Sequence, residues 1–102
     1  MDFRHISYSE DVVKYLSKHQ DMIGVMPNIL QLAVEELKGV KLRLEVYHDP
    51  EIEDEYLILY ARFPNYTQEI IEKIDAVGKK CISFLIDKSG WLIVTTDFKI
   101  EN

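Results

Sequence analysis

The chain has 102 residues, of which 47% are hydrophobic and 29% charged, and its formal net charge is -6. This length and composition predict a single globular domain, residues 1–102, that buries roughly 65% of the surface exposed by the unfolded chain, and they exclude a disordered tail. The acidic balance repels phosphate backbones and anionic lipids, so we expect neither nucleic acid nor a membrane surface as a partner.

The cysteine count and the N-terminus bear on the cellular compartment. Cys81 is the single cysteine, so no internal disulfide can form. Residues 1–5 lack the basic start and apolar run of a signal peptide, and no stretch approaches the ~18 apolar residues of a membrane span. We therefore expect a cytoplasmic protein.

Two helices are predicted in the first 40 residues. The run Ser-Tyr-Ser-Glu at 7–10 has the form of a capping box and predicts a helix over about 8–19. Pro27 suits the first turn of a second helix over about 27–38, and Gly39 suits the left-handed residue just past its end.

The hydrophobic period then changes to two. Apolar and polar residues alternate over Val40–Tyr47 and again over Tyr56–Phe63, which predicts two half-buried strands joined as a hairpin.

The last third of the chain predicts one long helix and one strand. Helical spacing runs over about 67–86, with Asn65 or Thr67 as the cap and Gly78 as a point of bending or interruption. β-Branched residues over 91–98 predict a third strand.

These elements predict an α+β fold in two layers. A three-stranded, mainly antiparallel sheet packs against helices, and the element order is ααββαβ. If the third strand docks beside the first, the sheet is wholly antiparallel in the order 2-1-3, whereas docking beside the second makes it mixed.

The alternation in the strands divides the predicted sheet into a leucine-rich face for the helices and a second, aromatic face. The large apolar members of the second face are Tyr47, Tyr56, Ile58, Tyr60, Trp91 and Ile93, and its charged members are Lys41, Arg43, Glu45 and Arg62. Such a cluster of aromatics exceeds the few hundred Å² of apolar surface that a monomer usually leaves bare.

The aromatic face predicts a protein–protein surface, because interface centres favour Tyr, Trp and Arg. We expect it to serve a homodimer or one unidentified protein partner. The expected partner-binding residues are Tyr47, Tyr56, Ile58, Tyr60, Arg62 and Trp91. Two alternatives remain: the first helix covers this face, or its aromatics stack RNA bases, which the net charge disfavours.

The hairpin connection offers a different chemistry. Residues 48–55 contain five carboxylates and one imidazole, a composition that suits a hard divalent cation. A small enzyme or divalent-metal-binding protein is therefore the alternative function, built around His48, Asp49, Glu51 and Glu53. The spacing matches no calcium loop, and a solvated acidic turn is the simpler interpretation.

Catalytic signatures are missing from the sequence. It contains no Gly-rich phosphate loop and no nucleophile elbow, so no catalytic residue, cofactor or metal ligand is assigned and an interaction protein is favoured over an enzyme. Cys81 falls on the apolar stripe of the long helix and is expected in the core.

Three runs carry a resemblance to a known family. They are Met26-Pro27-Asn28-Ile29-Leu30-Gln31, then Leu42-Arg43-Leu44-Glu45-Val46 with Asp49-Pro50-Glu51, and Glu55-Tyr56-Leu57-Ile58-Leu59. Over residues 26–98 the chain resembles a family of unknown function, made of small uncharacterised prokaryotic α+β proteins. The resemblance implies a helix, two strands, a helix and a strand, and it implies a partner encoded by a neighbouring gene, in the manner of a toxin and antitoxin pair.

Overall fold

The computed structural model describes residues 6–49, 51 and 54–96, and these form one α+β unit. Their elements in chain order are β1 (Ile6–Tyr8), α1 (Glu10–Lys18), α2 (Gln20–Ile23), α3 (Met26–Glu36), β2 (Lys41–Asp49), β3 (Asp54–Arg62), α4 (Gln68–Leu85) and β4 (Leu92–Thr95). The predicted α+β class is confirmed.

The sheet has four strands in the order β1-β2-β3-β4. β2 and β3 form the antiparallel hairpin, whereas β1 runs parallel to β2 and β4 runs parallel to β3. The predicted three-stranded, mainly antiparallel sheet and the order ααββαβ are therefore wrong in detail. The sheet is mixed because β4 docks beside the second strand of the hairpin and not beside the first.

β1 is the strand that the sequence pattern did not predict. Three residues are too few to establish a period of two, and its partner Leu42, which pairs with Ile6, lies far along the chain. The predicted capping box is also wrong. Tyr8 belongs to β1, and Ser9 occupies the N-cap position of α1 without a side-chain capping bond.

The helical region before β2 is more divided than predicted. α1 ends at Lys18, and His19, whose backbone is not helical (φ -124°, ψ 65°), separates it from the single turn of α2. α3 begins at Met26 with Pro27 in its first turn, as expected. Gly39 has a φ of 81°, which confirms the left-handed residue after this helix.

α4 is a continuous helix of 18 residues that passes through Gly78 without interruption. Of the two candidate caps, Thr67 is the one used, since its Oγ1 accepts a hydrogen bond from the backbone N–H of Ile70 at 3.2 Å. No helix within the described ranges is long and apolar enough to cross a membrane.

One hydrophobic core lies between the helices and one face of the sheet. It contains the leucines that alternate along the strands, together with the apolar stripes of α1, α3 and α4. Leu44, Leu57 and Leu59 are fully buried in it. Complete burial of such a side chain contributes roughly 1.5–3 kcal/mol to folding, so this face defines the register of the hairpin.

Candidate functional site: the open face of the sheet

The second face of the sheet is built by the residues that alternate with the core leucines. The register aligns them in rows across the strands: Lys41 beside Arg62, Arg43 beside Tyr60 and Thr95, Glu45 beside Ile58 and Ile93, and Tyr47 beside Tyr56. Trp91 continues the last row, because its carbonyl accepts a hydrogen bond from the N–H of Leu57 at 2.9 Å. We call this surface the open face.

The apolar side chains of the open face pack on one another. Ile58 is only 8% exposed, although it does not belong to the core cluster. The rings of Tyr47 and Tyr56 stack with their centroids 5.1 Å apart. Tyr47, Trp91 and Ile93 nevertheless remain 40–42% exposed. A contiguous apolar surface with a solvent-facing rim is typical of an interaction site.

The alternative in which the first helix covers the open face is wrong. α1 buries Val12 and Tyr15, and both belong to the cluster that contains Leu44 on the opposite face. α3 and α4 also bury their stripes in that cluster. The helices that the structure describes therefore all lie on one side of the sheet.

The two ends of the open face differ in charge. The register pair Lys41–Arg62 closes one end, and the register pair Asp49–Asp54 closes the other. Near the centre, Arg43 Nε lies 3.3 Å from Glu45 Oε1, and about two fifths of each side chain is exposed. Along the hairpin the register therefore runs from a pair of basic residues to a pair of acidic residues.

The acidic hairpin is described only in part. The structure gives no account of Pro50, Ile52 and Glu53, so the proposed metal site with Glu53 falls outside the described residues. His48 Nδ1 lies 3.2 Å from Glu55 Oε1, a pairing at the ends of β2 and β3. In the described part of the chain no group of three or more His, Cys, Asp or Glu side chains is placed to hold a metal ion.

A pocket at one edge of the open face was missed by sequence reasoning. It has a volume of about 520 Å³. Its walls are Tyr15, Lys18, His19, Glu55, Tyr56, Lys88, Ser89, Gly90 and Trp91. We call it the end pocket. Its residues come from α1, the start of β3 and the α4–β4 loop, so no short sequence motif marks it.

Hydrogen bonds across the chain hold the loop that forms one wall of the end pocket. Asp21 accepts from the backbone N–H and from the hydroxyl of Ser89, both at 2.7 Å. These bonds lower the pKa of Asp21, because they favour its ionised form. The N–H of Trp91 donates to the hydroxyl oxygen of Tyr15 at 3.0 Å.

Ser89, His19 and Asp21 lie together but do not form a hydrolase triad. His19 Nδ1 is 3.0 Å from Ser89 Oγ, while the carboxylate of Asp21 bonds to the serine directly. In a triad the imidazole stands between the serine and the carboxylate, which orients the imidazole as a base. The arrangement here anchors a loop and does not activate a nucleophile.

Cys81 is part of the core, as predicted. Its side chain is fully buried among the residues that α4 packs against the sheet. Burial raises the pKa of the thiol to about 11, because the low-dielectric interior disfavours the thiolate. The cysteine therefore acts as a small apolar side chain.

A second exposed apolar surface lies on the helical side of the sheet. It is a groove of about 430 Å³. Its lining residues are Tyr8, Val13, Leu16, Ser17, Ile23, Met26 and Pro27. Ile23 is 51% exposed there, so this groove is the natural control for any experiment on the open face.

Comparison of the chain with protein-family models, with curated proteins and with solved structures found no match. The resemblance of residues 26–98 to small prokaryotic proteins stays a prediction. Function is therefore inferred from the geometry of the chain itself.

Proposed function

We propose that this chain is a non-enzymatic protein–protein interaction module that forms a homodimer by packing two open faces against each other. The observation that carries the proposal is the exposed apolar centre. Tyr47, Trp91 and Ile93 keep about two fifths of their side-chain surface in solvent around the buried Ile58, on a face that no described helix covers. Aromatic residues concentrate at interface centres, because their burial supplies much of the binding energy.

The charge pattern favours a second copy as the occupant. In a symmetric dimer the same patch is used twice, so it must complement itself. We place a two-fold axis between the two sheets, perpendicular to the strands, over the row of Glu45, Ile58 and Ile93. Rotation about this axis reverses the strand direction in the second copy. It brings the register position of Lys41 and Arg62 over that of Asp49 and Asp54 in the other copy, so residues of opposite charge in the sequence occupy facing ends of the two hairpins.

The size of the face predicts a dissociable dimer. β2 and β3 are nine residues long, and β1 and β4 add short flanks. At ~3.3 Å per residue and ~4.8 Å between strands, the footprint is roughly 400 Å² per copy. This is below the roughly 800 Å² per partner of a standard interface, so we expect a dissociation constant of about micromolar order.

Sedimentation velocity over a concentration series tests the proposal. The variant Ile93→Glu places an unpaired carboxylate beside the two-fold axis, whereas Glu45 of the same row is paired with Arg43 at 3.3 Å, and we expect the variant to weaken association at least about tenfold. Ile93 lies outside the end pocket, and Ile23→Glu in the helical-side groove is the matched control. Association lost in Ile23→Glu and kept in Ile93→Glu would place the dimer on the other surface and contradict the proposal.

A further inference from the structure

We infer that the end pocket is a binding site for a small planar phosphate monoester, a ligand of mononucleotide size. This inference does not depend on the dimer. Its volume of about 520 Å³ lies within the roughly 300–1,000 Å³ of small-molecule sites. Two features of the lining suggest the ligand chemistry: an aromatic pair, Tyr56 and Trp91, and two lysines, Lys18 and Lys88.

The aromatic wall suits a flat ring. Tyr56 and Trp91 both line the pocket, and they lie side by side in the same row of the sheet. Trp91 remains 40% exposed. Bases and other heteroaromatic rings stack on such side chains without needing a particular hydrogen-bond pattern. The aromatic wall therefore selects a planar ring and does not distinguish one base from another.

The cations of the pocket suit a phosphate. Lys18 and Lys88 line it against one carboxylate, Glu55, which is already paired with His48 at 3.2 Å. Lys18 has no ion pair within the described ranges, and Lys88 is paired only with the exposed carboxylate of its neighbour Asp87 at 3.4 Å. Lysine ammonium groups are common phosphate ligands. Lys88 also lies near Asp21 and, after the hydrogen bonds that this carboxyl accepts, contributes to its lowered pKa, so Lys18 is the lining cation without an ion pair in the described part of the chain.

The loop that presents Lys88 and Trp91 is fixed before any ligand arrives. Asp21 holds Ser89 through two hydrogen bonds, and Tyr15 holds the backbone of Trp91 through one. The ring of Tyr15 lies 4.4 Å from the ring of His19 at the back of the pocket. A preformed wall lowers the entropy cost of binding.

Trp91 is the single tryptophan of the chain and lines this pocket, so its fluorescence reports ligand binding when the titration is made in Ile93→Glu, where dimer formation does not contribute. Titration with adenosine 5′-monophosphate, excited beyond the absorption of the base, should quench Trp91 to saturation at millimolar or lower concentration. Adenosine, which has the same ring without the phosphate, should bind at least about tenfold more weakly, because it lacks the charged group that the lysines contact, and a factor of ten corresponds to about 1.4 kcal/mol. Inorganic phosphate should compete with the nucleotide.

The double variant Lys18→Gln/Lys88→Gln should weaken the monophosphate at least about tenfold and leave adenosine unchanged. Lys38→Gln/Lys79→Gln is the control, since it removes the same charge at exposed positions away from the pocket. Binding should persist in Ile93→Glu, which separates this site from the dimer. No saturable quenching by the monophosphate, equal affinity for adenosine, or equal loss in both lysine pairs would overturn the inference.

Discussion

The two faces of the sheet share strands but have opposite chemistry. Along β3, Leu57 and Leu59 point into the core and are fully buried, while Ile58, between them, is 8% exposed and lies outside the core cluster. Both faces are rich in apolar residues, so hydrophobicity alone does not separate core from surface. What separates them is the position of the helices, since α1, α3 and α4 all bury their stripes on the leucine side.

This difference teaches how a small domain can fold and still offer an apolar surface. The leucine face fixes the register, because a slip by one residue would exchange the two faces. The residues of the open face are therefore not needed to fix the register and can serve a purpose other than folding. Substitutions on the two faces should therefore separate stability from association.

The largest expected effect comes from truncating adjacent residues of β3. Leu59→Ala leaves a cavity in the core and should lower the free energy of unfolding by about 2–5 kcal/mol. Tyr60→Ala, on the open face, should cost the monomer about 1 kcal/mol or less while weakening the dimer. Urea unfolding at a concentration where the protein is monomeric measures both, and equal losses would contradict the division into two faces.

The next largest loss of stability is expected at Gly90, in the loop between α4 and β4. A Cβ at Gly90 would lie 2.7 Å from the Tyr15 hydroxyl oxygen and 3.0 Å from Met22 Cγ. Gly90→Ala should therefore lower the free energy of unfolding by about 1–3 kcal/mol.

The double variant Gly90→Ala/Tyr15→Phe tests the cause of this loss. Removing the hydroxyl relieves the closest contact, although it also removes the hydrogen bond from Trp91. Unfolding curves should show that the two substitutions together cost less than the sum of their separate costs. Additive costs would mean that the hydroxyl is not what opposes the new methyl group.

The thiol of Cys81, on the core side of α4, should be unreactive in the folded protein. With the thiol pKa raised from 9.0 to about 11, the thiolate fraction of Cys81 at pH 8 falls by roughly a hundredfold, and burial blocks access as well. Native protein should not react with a thiol reagent, and urea-unfolded protein should react fully. Ile82→Cys/Cys81→Ser moves the thiol to the exposed side of the helix and should react at once. Rapid reaction of native Cys81 would contradict its place in the core.

The smallest effect is expected in the pH dependence of stability. The pKa of Asp21 is lowered from 3.8 in the folded protein, so its contribution is present above that pH and is lost as the pH falls through the folded value. Asp21→Asn should reduce stability at pH 6 and lose less than the parent protein on acidification to pH 2. Parallel losses in unfolding experiments at the two pH values would show that Ser89 does not stabilise the carboxylate.

Local patterns predicted the parts of this fold that local physics controls. The alternation of leucines in β2 and β3 identified both faces, and Pro27, Gly39 and Thr67 marked helix boundaries that the structure has. Each of these signals depends on neighbours within one or two turns of the chain.

The parts that were missed depend on distant partners. β1 exists because Ile6 pairs with Leu42, and the end pocket exists because the α4–β4 loop is tied to Asp21 and Tyr15. Three residues of strand and a single buried tyrosine carry no periodic signal. The position of β4 beside β3 was likewise open, because the sequence allows either edge of the hairpin.

Molar mass against concentration tests the central claim most directly. Light scattering on wild type and Ile93→Glu between about 1 and 500 µM spans the expected dissociation constant. The two-face account predicts that the mass of wild type rises from the 12.0 kDa chain mass towards twice that value, while the rise for Ile93→Glu requires at least about tenfold higher concentration. A wild type that remains monomeric over the whole range, or a variant that dimerises equally well, would contradict it.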